Sequence, residues 1–392
     1  MASIRQVTWK KKSGTSKRWE LSYFDAAGKR HRSLHDMKRD AEAERVRIEG
    51  QLAAGTHVAD RDSRTVGDVC EAWLTDIEHL VRTGTRERIT LKGYRTHVRR
   101  HIAPRDVARV KLTKLRPSAV MAFVTELEAE LSADLAGKVF GTFKMALGYA
   151  RRMEMMTHDP ASDVKIRTTE RSDREEEGDV AIPTKAELKA LVAAAKLDQT
   201  GRSMAMISLM MFAGLRISEL RGLTRRGVML TGAQPEVWIF QRADSYQAAG
   251  PCKSKASRRR VPIGPDTVAA VRAWLPSIPQ SDSGLIFPTA SGTIQSYANL
   301  WNRWWVPLMI AAGLVSEAPP GKPAGKPAPR FGMHGLRHVA ASLWIELGLQ
   351  PKRIQKLMGH STLQMTMDLY GHLWTYPDED AAIGRDTERQ LG

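Results

Sequence analysis

The chain has 392 residues, with 60 Lys and Arg against 43 Asp and Glu and a formal net charge of +17; it is long enough for two or three domains, and its charge points to a polyanionic partner. No run approaches the roughly 18 apolar residues of a membrane span and no amino-terminal apolar stretch with a cleavage site occurs, so neither membrane insertion nor secretion is indicated and a cytoplasmic protein is expected. Two distant cysteines, Cys70 and Cys252, without Cys-x-x-Cys spacing exclude a disulfide framework and a thiolate zinc site. His97 with His101, and His334 with His338, have the i, i+4 spacing of helical metal ligands but no third ligand nearby, so no metal or other cofactor is expected.

Residues 1–58 read as a first domain. Gln6 to Trp9, Trp19 to Phe24 and Lys29 to Leu34 have the composition of three short strands, separated by Ser13-Gly14 and by Asp25 to Gly28, and a helix follows from about Met37 to Leu52. Through Arg39 there are eleven Lys or Arg, among them Lys10, Lys12 and Arg30, against three acids, with Trp9, Trp19 and Tyr23 interleaved. Such a sheet can lay strands in a DNA groove, or it can be a solvated sheet whose aromatics are its only core. Gly55 to Arg64 reads as a polar linker.

Residues 65–165 read as a helical domain. Thr65 to Asp68 opens its first helix, with Val69, Trp73 and Ile77 on one side. Next, Leu91, Tyr94, Val98 and Ile102 form an apolar stripe while Arg88, Lys92, Arg95 and Arg99 form a separate basic ridge. From Arg86 to Arg116 there are eleven basic residues and two acids, and like charges so placed repel one another unless a polyanion is present. Two helices, about 117–131 and 134–153, complete a bundle.

Lys165 to Val180 reads as an interdomain linker, long enough to let two domains clamp a duplex from opposite faces. The last domain, 180–392, opens with a capping box from Thr184 to Glu187. An almost entirely apolar helix from Arg202 to Gly214 should be buried, delivering Arg216 from its end, with Glu219 placed to hold the guanidinium. Val237 to Phe240 and Arg260 to Ile263 read as strands joined through Lys253 to Ser257, a turn that offers a lysine to a ligand. Helices are expected at about 265–275 and 296–312, and Ala318 to Arg330 as a Pro-, Gly- and Lys-rich insertion. His334 and Arg337 share one face of a helix that Gly348 and Pro351 end. A short helix with Ile354, Leu357 and Met358, a turn at Gly359-His360, and a third helix capped by Ser361 and Gln364 then carry the chain to Tyr370. Two histidines, an arginine and a tyrosine without metal ligands around them suit the attack of a tyrosine on a phosphodiester.

HGLRH at 334–338, LMGHS at 357–361 and a tyrosine ten residues after His360 resemble the carboxy-terminal signature of the tyrosine recombinases, the phage integrase family; FAGLRISEL at 212–220 resembles the family's first arginine box. The resemblance spans roughly 180–375. It implies a multidomain, mainly α fold with small β-sheets, in which the catalytic fold is preceded by a helical core-binding domain and a small β-sheet arm-type domain. It also implies a site-specific recombinase acting on double-stranded attachment sites as a homotetramer that passes carboxy-terminal segments between neighbours, with a host bending protein or directionality factor as possible partners and a phage or other mobile element as its context. Residues after Tyr376 are the candidates for the exchanged segment. Two alternatives stay open, a type IB topoisomerase and a DNA-binding protein of the same fold without chemistry.

The developing phosphorane needs cationic stabilisation, which Arg216 and Arg337 can supply with bidentate forks, while His334 and His360 add donors or handle protons. Tyr370 is the expected nucleophile and His334 the candidate base, with Glu219 orienting. The departing 5′-oxygen needs a proton from a lysine on the 253–255 turn. The resemblance favours Lys253, and the turn length leaves Lys255 open.

Overall fold

The computed structural model describes residues 2–11, 14–25, 28–55, 57, 59, 63–167, 182–316 and 327–374. Most of the expected linker at 165–180, most of the insertion at 318–330, the tail after Tyr376 and the side chains of Lys10 and Lys12 lie outside the described residues. The chain divides into two compact units, 1–170 and 171–392. Its fold is mainly helical with small sheets, and no described helix is long and apolar enough to cross a membrane.

In the first unit, Ser3–Lys11, Gly14–Phe24 and Arg30–His35 pair antiparallel in chain order. The core beneath them is small, with Leu21 and Tyr23 packed on Ile48 of the helix Lys38–Ala53. Several polar groups of the sheet are satisfied internally: Arg5 Nε donates to Glu20 at 2.9 Å and Arg30 Nε to Ser22 Oγ at 2.8 Å.

The same unit holds the helices Val66–Arg82, Arg88–His97, Pro117–Glu130 and Ala133–Arg152. Thr65 and Asp68 close a reciprocal capping box on the first. Trp73, Leu91, Val98, Ile102, Phe123 and Phe143 join one apolar core, so the stripe read at period 3.6 is the buried face. The end of the expected linker is built into this bundle: Leu112 N–H donates to Arg64 O at 2.9 Å and Thr113 N–H to Ser63 Oγ at 3.3 Å. The expectation of a basic ridge without acidic partners also needs correction. Arg88, Lys92 and Arg99 are exposed, but Arg95 donates to Glu78 at 2.8 Å and Arg105 is held by Glu126 at 3.3 Å. These acids come from neighbouring helices, which a count along one segment misses.

In the second unit the helix Arg202–Phe212 is buried, and Pro265–Trp274 and His334–Glu346 pack against it. A sheet of Val228–Met229, Glu236–Ile239 and Arg259–Pro262 lies beside them. The central strand and Arg259–Pro262 are not joined by a single turn as expected: a second hairpin, Gln241–Ala243 with Ala249–Pro251, intervenes before the 3-10 turn Lys255–Ser257. Helices Pro351–Met358 and Leu363–Tyr370 follow. The cap of the last is Thr362, whose Oγ1 accepts from Met365 N–H at 3.3 Å. The expected Ser361–Gln364 box does not form: the helix is capped one residue later, and Gln364 donates to Asp368 at 2.5 Å.

Candidate active site

Two residues past the end of the buried helix stands Gly214, whose φ of +61° is left-handed and where a Cβ would stand 3.2 Å from Trp344. The chain then turns into the helix Ile217–Arg221, with Arg216 at its amino-terminal boundary and Glu219 in its first turn. Glu219 accepts the Arg216 backbone N–H and one of its guanidinium N–H groups, both at 2.9 Å. The same carboxylate receives both arms of Arg259, at 2.9 and 3.0 Å. Burial alone would raise the Glu219 carboxyl, but Arg259 above all, then Arg337 and Arg216, hold it down to about 2.

A helix end orients these cations. The last carbonyls of an α-helix lack intrahelical partners and carry its negative pole. Gly359, with φ of +64°, terminates Pro351–Met358. The freed carbonyls then accept from all three guanidiniums: Leu357 O from Arg259 Nε at 2.6 Å, Met358 O from Arg337 Nη2, and Gly359 O from Arg216 Nη2 at 3.2 Å. Arg337 also donates through Nη1 to Gly214 O. Two of the three guanidiniums bond one carboxylate, Arg337 lies close enough to feel its charge, and the cluster keeps an excess of positive charge in a site where Arg337 is 2% exposed. Burial and the neighbouring Arg216 and Arg259 push the Arg337 pKa down, yet a guanidinium stays charged at neutral pH.

Tyr370 lies against this cluster. It is fully buried (0% exposed), its ring lies parallel to that of His360 with centroids 6.4 Å apart, and its Oη meets His338 Nδ1 at 2.7 Å. Burial pushes the phenol up to about 12, outweighing the pull of Arg337 and Arg216. His360 bonds Thr366 Oγ1 through Nδ1 at 2.9 Å and is held down to about 3, by burial first and then by Arg337, Arg216 and Arg259. His334 and His338 meet edge to face at 4.8 Å. Both are held down to about 4, chiefly by burial, with Arg337 adding to each, so both rings are neutral near pH 7.

Arg216 and Lys253 line one cleft of about 260 Å³ with Arg242, Ser361 and Met365; Lys255 does not line it. A second groove, of about 830 Å³, is bordered by His360, Arg258, Arg260 and Lys356, with Trp238 beneath the two arginines. The structure thus brings together Arg216, Glu219, Arg337, His360 and Tyr370, with His334 beside His338 and Lys253 on the cleft wall. Sequence reasoning missed Arg259 and His338. Arg259 was legible as the inward residue of a strand, in step with Val261. His338 was weighed only as half of a metal pair, and among the described residues no group of three potential ligands gathers.

Residues 183–375 match the phage integrase family. The matched region belongs to that family, the tyrosine-type site-specific recombinases. This recombinase is 22% identical over 367 residues to the tyrosine recombinase XerC-like protein of Caldanaerobacter subterraneus subsp. tengcongensis, with 86% of each chain covered. It is 31% identical over 177 residues to tyrosine recombinase XerC of Salmonella typhi, a match that covers 44% of this chain and 48% of the relative. Its fold is similar to that of the Tn1549 transposon integrase in complex with transposon right end DNA, with TM-score 0.62, 18% identity, and 84% of this chain and 100% of the other covered. It is also similar to a lambda integrase from a tetramer bound to a Holliday junction, with TM-score 0.51, 17% identity, and 91% and 95% covered.

Proposed function

We propose that this recombinase cleaves and rejoins DNA through a 3′-phosphotyrosyl intermediate, with Tyr370 as nucleophile, to integrate or excise a mobile element. The observation that carries the reading is the buried phenol of Tyr370 set against a guanidinium cluster that holds more positive charge than its one carboxylate offsets. Arg216 and Arg337 each retain N–H groups for the non-bridging oxygens, Glu219 and Arg259 hold them in place, and His334 and His360 supply donors or handle protons. Lys253, on the same cleft wall as Arg216, protonates the departing 5′-oxygen. The ester conserves the bond energy, so the strand is resealed without ATP, and the cations do the work that metal nucleases give to divalent ions.

In this reading Arg88, Lys92, Arg95, Arg99 and Arg30, with Lys10 and Lys12, contact phosphates, and four protomers act on paired attachment sites, as the lambda integrase tetramer on its junction suggests. The likeness to XerC proteins favours a second reading, the resolution of chromosome dimers. Sequencing DNA trapped on the protein from a library of nicked suicide duplexes identifies the target. Plasmids carrying two such sites should then exchange strands in EDTA. Relaxation of supercoils without exchange would favour a topoisomerase, and a strict need for Mg²⁺ would overturn the metal-free scheme.

A further inference from the structure

We infer that His338 is a further catalytic residue, the group that takes the phenolic proton of Tyr370 as the tyrosine attacks phosphorus. The inference rests on the reading of Tyr370 as nucleophile. His338 Nδ1 lies 2.7 Å from Tyr370 Oη, within direct proton-transfer distance. His334 lies beside His338, the two rings meeting edge to face at 4.8 Å. His360 commits Nδ1 to Thr366 at 2.9 Å and lies parallel to the phenol ring.

The groups facing His338 are His334 and Arg337 on its own helix, Tyr370 on Leu363–Tyr370 and His360 from the turn after Pro351–Met358. Burial above all, then His334 and Arg337, keeps the imidazole neutral, so that with hydrogen on Nε2 its Nδ1 lone pair accepts from the phenol. Tyr370 keeps its proton while the site is empty. A scissile phosphate brings negative charge that raises the proton affinity of the imidazole, just as the forming bond to phosphorus lowers that of the phenol. In the step, the Oη–H bond breaks and its proton goes to His338 Nδ1 while the Oη–P bond forms. The P–O5′ bond breaks with its electron pair on O5′, which takes a proton from the lysine proposed above. Rejoining reverses each transfer, and His338 returns the proton to Oη.

The test is single-turnover cleavage of a suicide duplex by the full-length wild type, His338→Ala and His338→Gln across pH 4 to 9, with melting temperature and DNA affinity measured for each. His338→Ala should cleave roughly 100-fold more slowly at unchanged affinity, lose the acidic limb of its pH–rate profile and recover in part with added imidazole. Glutamine keeps a hydrogen-bond partner for the phenol but cannot take its proton, so His338→Gln should be comparably slow. Cleavage by His338→Ala at or above the wild-type rate would show the contact to be a restraint on the resting tyrosine, and full activity in His338→Gln would reduce the role to positioning. Either result overturns the inference while wild-type adducts form normally. Absence of a wild-type adduct at Tyr370 would instead overturn the nucleophile assignment, and this inference with it.

Discussion

Replacing Glu219 by Gln tests how the cation cluster is held. The substitution conserves volume and leaves one oxygen to accept hydrogen bonds, but it removes the one carboxylate shared by Arg216 and Arg259 and places an N–H donor against a guanidinium. Glu219 is 3% exposed and Arg259 6%, so water cannot replace the lost charge. Removing one partner of a buried pair costs about 3–5 kcal/mol, because the other charge stays buried without compensation. For a unit of this size each kcal/mol lowers the melting temperature by about 2–4 °C, so a fall of roughly 6–20 °C is expected. Denaturant unfolding followed by circular dichroism, beside calorimetry, measures both quantities. A Glu219→Gln protein within about 1 kcal/mol of the parent would refute the claim that this carboxylate holds the arginines in place.

Three other outcomes follow from the geometry. Gly359→Ala forces a side chain into a left-handed backbone with its Cβ 3.0 Å from Ala256 O and from Arg259 Nη1; a loss of at least about 1–2 kcal/mol in denaturant unfolding is expected. His334 and His338, held at about 4, and His360, at about 3, all lie below the ordinary 6.5, so the fold prefers them neutral. Their stabilisation is complete above pH 6.5 and erodes as pH falls towards 4. That of Glu219, held at about 2 against an ordinary 4.5, is complete above pH 4.5 and erodes only below it. Calorimetry should therefore show a falling melting temperature between pH 6.5 and 4.5, with a smaller fall in His360→Asn. Lys253→Ala should slow cleavage about 100-fold or more and be rescued by a substrate whose leaving 5′-oxygen is replaced by sulfur, whereas Lys255→Ala should cleave as the wild type does.

The apolar periods that predicted buried faces at Val69, Trp73 and Ile77, and in the helix after Arg202, are local signals, and the structure buries those faces. The constellation from Arg216 to Tyr370 was legible from the resemblance of its motifs to those of the tyrosine recombinases. Partners that meet only through tertiary contact were not legible. Nothing near Arg259 in the chain announces Glu219, 40 residues away, and nothing near Arg95 announces Glu78 on another helix. The Thr362 cap was missed because Ser361 and Thr362 are both cap residues, Ser the better by propensity, and the helix starts one residue later than the Ser361–Gln364 spacing suggests. His338 was underrated for a related reason: spacing alone shows a pair with His334, while the phenol it touches arrives 32 residues later.

The central claim is chemical, and mass-spectrometric mapping of the trapped protein–DNA adduct tests it most directly. The account predicts one modified peptide, with Tyr370 esterified to a 3′-phosphate, a free 5′-hydroxyl on the released strand, and no adduct from Tyr370→Phe although that variant still binds DNA. A bond to any other residue, a 5′-phosphate linkage, or an adduct that persists in Tyr370→Phe would contradict it.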